Sequence, residues 1–129
     1  MKSKQLIRFY FSADNINKAL DNLILDKALK SANFTRSCEY YAERISALIC
    51  AKEELSKLWN YLDKVVSSLN QRERRVLKFY AGLRVGLSKL TLARAKEVKR
   101  VTVKFTRHAR NIERYGEGVR LVKEYYCLM

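Results

Sequence analysis

The sequence predicts an all-α fold, and three observations carry that expectation. The chain has no proline and only four glycines, Gly82, Gly86, Gly116 and Gly118. That is too little turn punctuation for a β-sandwich or a dinucleotide-binding sheet. Apolar residues recur at three- and four-residue steps through both halves of the chain, the spacing of a helix face. A composition of 48% hydrophobic and 31% charged residues over 129 positions can fill one core and is unlike that of a disordered tail.

The expected elements follow in order. Ile16, Leu20, Leu23, Ile24 and Ala28 form one stripe, with Ser12 or Asp14 placed to cap its start. The polar stretch Lys30–Ser37 reads as a connection. A longer helix begins at Cys38, where Tyr41, Leu48, Leu55, Leu62 and Leu69 lie seven apart and Ile45, Trp59 and Val66 form a second row broken only by Lys52. This is a heptad-type seam. An intramolecular helical hairpin over residues 1–68 satisfies it and is preferred, because the first stripe also needs a partner. A homodimer through the 41–69 seam satisfies it as well. Ser67–Asn70 should break the helix. Asn70 and Glu73 have capping-box spacing, so the next helix spans Gln71–Ala81, burying Val76, Leu77 and Tyr80, with Gly82 as a left-handed cap. A closing helix is expected over Glu117–Leu128.

Charge divides the chain more sharply than hydropathy. The net charge is +14, and residues 72–110 hold 13 basic side chains against Glu73 and Glu97 alone, which is +11 in 39 residues. Such a segment implies a polyanionic partner. Other classes fall away. The start has no long apolar core behind its charges, so a signal peptide is not expected, and no run reaches the length of a membrane span. A cytoplasmic protein without membrane contact is the expectation. Cys38, Cys50 and Cys127 lack the spacing of a zinc site and read as reduced, buried thiols. His108 is the one histidine; it lies on the flank of an apolar face and reads as a packed side chain. No phosphate loop, paired carboxylates or nucleophile set can be assembled around it, so neither enzyme activity, a metal nor a cofactor is expected.

The stretch Leu69–Tyr80, with Arg72-Glu73-Arg74 ahead of Val76-Leu77 and an aromatic, resembles the first helix of the sigma-factor-type helix-turn-helix that reads the promoter −35 element. Gly86-Leu87-Ser88 is similar to the Gly-Leu-Ser opening that family's next helix. Thr102-Val103-Lys104 is similar to the Thr-Val-Lys of its recognition helix. The resemblance covers about residues 69–112 and implies a helix-turn-helix-like domain within 69–129. It implies a small bacterial or phage-derived transcriptional regulator that binds specific double-stranded DNA, with RNA polymerase as a candidate second partner.

Periodicity places the recognition helix over 99–114. Val98, Val101, Phe105, Ala109 and Ile112 fall on one face, leaving Arg100, Val103, Lys104, Arg107, Arg110, Asn111 and Arg114 on the other. On that outer face Arg107, Asn111 and Val103 are candidates for base edges, and Arg100 and Lys104 for phosphates. The family register instead buries Val103 and turns Thr102 and Phe105 outward with Arg100. Further candidate phosphate contacts are Arg72, Arg74, Arg75, Lys78, Arg84, Lys89 and Lys99. The alternation of Val101, Val103 and Phe105 with Thr102, Lys104 and Thr106 also permits a β-hairpin at 90–106. A competing function is that of a helical interaction protein, whose seam binds a partner helix and whose basic patch meets RNA or an acidic surface.

Overall fold

The computed structural model describes residues 3–32, 38–82 and 95–126, and it opens with a helix absent from the expectations above. In α1 (Ser3–Phe11), Leu6, Ile7 and Phe9 are buried. At Ser12 the backbone passes into α2 (Ala13–Ala32) without a fresh start. The Ser12 N–H donates to the Arg8 and Phe9 carbonyls, and the Ile16 N–H donates to Ser12.

α2 lies along α3 (Cys38–Ser67) as the expected hairpin. Within the seam Tyr41, Leu55, Leu62, Val66 and Leu69 are buried, covered by this chain's own helices. Lys52, the charge in the second row, reaches across the hairpin to the carboxylate of Asp21 on α2. The stripe of α2 is only partly used: Ile16 and Leu20 are buried, while Leu23 and Ala28 are exposed. The reason is geometric. Near Ser12 α1 packs against the hairpin, whereas towards residue 32 no other described helix covers it and two helices enclose only a narrow seam.

α3 also carries a third apolar row, Ala51, Leu58 and Val65, all buried. This row faces α6 (Gly116–Glu124). The contact is close because Gly118 has no side chain. A Cβ there would stand 2.9 Å from the Leu58 Cβ and 3.1 Å from the Glu54 carbonyl oxygen. The aromatic side of α3 holds α1: the Trp59 indole N–H donates to the Tyr10 carbonyl at 3.0 Å, and the two rings stack at 5.3 Å. The Tyr10 hydroxyl donates to Asp63 at 2.6 Å. Burial, reinforced by that carboxylate, pushes the phenol up to about 12.

α4 (Gln71–Tyr80) begins at the expected capping box. Asn70 Oδ1 accepts from the Glu73 N–H at 2.8 Å, and Glu73 Oε1 accepts from the Asn70 N–H at 3.1 Å. Gly82 closes it at φ +76°. α5 (Ala95–His108) crosses α4, and a 3-10 turn over Ile112–Tyr115 leads into α6. Three expectations are corrected here. Residues 95–106 are helical, so no strand forms in that part of the 90–106 segment. The helix expected over 99–114 ends at His108 and not at 114, because the Ile112 N–H bonds back to Ala109 in a tighter turn. Finally, α6 stops at Glu124, ahead of residue 128. The described residues form six α helices and no strand, and one buried cluster runs from α1 through α6. None of these helices is long and apolar enough to cross a membrane.

Gly118→Ala tests the α3–α6 contact. The added methyl meets a backbone carbonyl and a Cβ, neither of which can swing away, so we expect a loss of about 1–3 kcal/mol from overpacking. Urea unfolding reads it; an unchanged midpoint would show that the two helices do not approach this closely.

Candidate nucleic-acid interface

The rotation of α5 about its axis determines which side chains can meet a ligand. Val101 and Phe105 are buried at 0% and 1% exposure, whereas Val103 is 40% exposed. The periodicity register therefore holds, and the family register, which buries Val103, does not. An electrostatic clamp maintains this rotation. The Glu73 side chain, only 3% exposed, accepts from the Lys104 ammonium at 3.1 and 3.2 Å and from the Arg100 guanidinium at 3.2 Å. Burial alone would raise the Glu73 carboxyl. The Asn70 N–H and the two cations outweigh it and hold the group below the usual carboxylate range. The other acid of the basic segment, Glu97, binds Arg72 through two contacts at 2.6 and 2.9 Å.

These contacts redistribute the expected site residues. Arg100, Lys104 and Arg72 are engaged with carboxylates. Arg74 donates to the Val66 and Ser67 carbonyls at 3.2 and 3.3 Å, satisfying the end of α3. The Lys78 ammonium lies 5.0 Å from the centre of the Phe11 ring. Arg75 is half-buried. The Thr102 hydroxyl is bonded within its own helix, donating to Val98 and Lys99 at 2.9 Å. Arg84, Lys89 and the Gly86-Leu87-Ser88 segment lie outside the described residues.

What faces outward on α5 is Lys96, Lys99, Val103 and Arg107, all exposed, lining one shallow groove with Arg100, Lys104 and His108. The cations Lys96, Lys99 and Arg107 have no carboxylate partner among the described residues. Arg110, Asn111 and Arg114 are exposed but lie beyond the end of α5, so they do not continue its outer face. Arg110 and Asn111 line a second hollow with Tyr61, Lys64, Val65, Ser68, Arg107 and His108.

His108 is exposed, contrary to the packed role expected for it, because the helix stops there. Its Nδ1 sits 2.9 Å from Ser68 Oγ. Cys50 is likewise exposed and free instead of buried. Among the described residues no group of histidine, cysteine and acid side chains could hold a metal. Sequence reasoning passed over Lys96 and Lys64. Lys96 had a signal, since it precedes Lys99 and Val103 at helical steps. Lys64 had none, being more than 40 positions from the residues it joins. No protein-family model, curated protein or solved structure matches the chain.

Two tests follow. Val103→Ala should leave stability within about 0.5 kcal/mol, while Phe105→Ala should cost about 3–5 kcal/mol through a buried cavity. The reverse order in denaturant melts would overturn the rotation assigned to α5. Second, Glu73→Gln should destabilise the protein at neutral pH. A depressed carboxyl contributes stability above its unfolded pKa of about 4.3, and that contribution is lost as pH falls through the lower folded value. The gap between wild type and Glu73→Gln should therefore narrow as pH falls from 6 to 3. A gap of constant size would show that the charge on Glu73 contributes nothing.

Proposed function

We propose that this protein binds double-stranded DNA, as a small transcriptional regulator with a sigma-factor-type helix-turn-helix whose recognition helix is α5. The observation that carries this reading is the sorting of charge. Both acids of the 72–110 segment, Glu73 and Glu97, are paired with cations of α4 and α5, while Lys96, Lys99 and Arg107 stay on the outer face around Val103. An outer face of one sign suits a polyanion and not a mixed protein surface. α5 is 14 residues long, about 21 Å at 1.5 Å per residue, and a B-form major groove about 12 Å wide admits a helix. In that groove Lys96 and Lys99 reach phosphates, Arg107 is placed for a guanine edge and Val103 for a thymine methyl.

A second reading, an interaction protein, rests on a different surface. Leu25 and Leu29 are each 58% exposed and Ile49 is 45% exposed at the far end of the hairpin, an apolar area that a partner could cover. Salt dependence separates the two. If Lys96 and Lys99 each neutralise one phosphate, log K for a duplex should fall against log salt with a slope of about −1.8. Fluorescence anisotropy between 50 and 200 mM salt would measure it, and a flat response would exclude the DNA reading.

A further inference from the structure

Resting on that reading, we infer that the DNA footprint continues past α5 onto the last turn of α3, where Lys64, Ser68, His108 and Arg110 form a second seat for the phosphodiester backbone. The α5 groove and the hollow beside α3 share Arg107 and His108, so they join into one trough rather than two separate depressions. Every charged side chain lining the second hollow, Lys64, Arg107 and Arg110, is cationic, and none has a carboxylate partner among the described residues. The neighbouring Asp63 is turned to the other side of α3 and bound by Tyr10.

The seat is braced. Tyr61 stacks on Tyr115 at 4.7 Å, and its hydroxyl oxygen accepts the Asn111 N–H at 3.0 Å. This fixes the turn that carries Arg110. A rigid cationic hollow in line with the α5 groove fits a strand of regularly spaced phosphates better than it fits a flexible acidic peptide.

The Ser68 hydroxyl is bonded to the Val65 carbonyl at 2.6 Å and its oxygen lies 2.9 Å from His108 Nδ1, so both side chains are held at the wall of the hollow they line.

Anisotropy titration of the full chain with a 20-base-pair duplex, over a range of salt at pH 7, tests the seat. Lys64 and Arg110 are exposed, so their variants should fold, and circular dichroism verifies it. Lys64→Gln with Arg110→Gln should flatten the salt slope by about 1.8, two phosphates at about 0.9 each. A steep wild-type slope that the double variant leaves unaltered overturns the seat and leaves the α5 interface standing. A flat wild-type slope overturns both.

Discussion

A carboxylate removed from water must find compensating charge or hydrogen bonds, and in this protein that requirement organises the basic module. Glu73 answers it from two directions. Its own capping box ties it to the Asn70 backbone and starts α4, and Lys104 and Arg100 come to it from α5. Because Lys104 and Arg100 are four residues apart they share one side of α5, so a single acid at the start of α4 orients the helix beyond it. Replacing either cation leaves the other in place; removing the acid releases both and loosens the cap as well. The pair Arg72–Glu97 repeats the logic at the opening of α5. A segment of net charge +11 thus uses its only two acids as internal fasteners, and the unbalanced charge is left outside.

The two halves of the chain are not independent in packing. α1 inserts Ile7 and Phe9 into the core and touches α3, α4 and α6, and α3 is lined on a second side by α6 through Leu58 and Gly118. The long helix is the common wall of the hairpin and the basic module. Its last turn, bonded by Arg74 of α4 and capped by the break at Asn70, sits beside the end of α5, which is how residues 64 and 110 come to line one hollow.

Local patterns in the sequence were informative wherever neighbours in the chain decide the outcome. The Asn70–Glu73 cap, the Gly82 turn, the α2–α3 hairpin and the inward phase of Val101 and Phe105 could all be read this way. Effects of distant residues could not. The Leu58 row was hidden by the stronger seam beside it, and only the approach of Gly118, 60 positions later, gives it a partner. α1 was overlooked because Leu6–Phe11 is apolar apart from Arg8 and shows no three- or four-residue period. The end of α5 misled for a subtler reason: Ala109 and Ile112 keep the helical phase although the backbone tightens, so periodicity runs on past the true end. In the basic segment, composition revealed how much charge there was but not which cations would be neutralised, since Arg72, Arg100 and Lys104 meet their acids 25 to 31 positions away. The sigma-factor-type resemblance implied a buried Val103, whereas Val103 lies on the exposed side of α5.

The stacking of Trp59 on Tyr10 has an optical consequence. Trp59 is the sole indole of the chain, half-buried against α1 and hydrogen-bonded to its backbone, whereas the cationic trough lies along α5 and the end of α3. Its emission therefore reports whether the amino-terminal helix is docked, independently of any phosphate that quenches or polarises the trough. Detachment of α1 would wet the indole and shift its spectrum to the red while the remaining helices kept their ellipticity, so one intrinsic chromophore separates loosening at the amino terminus from events at the basic face.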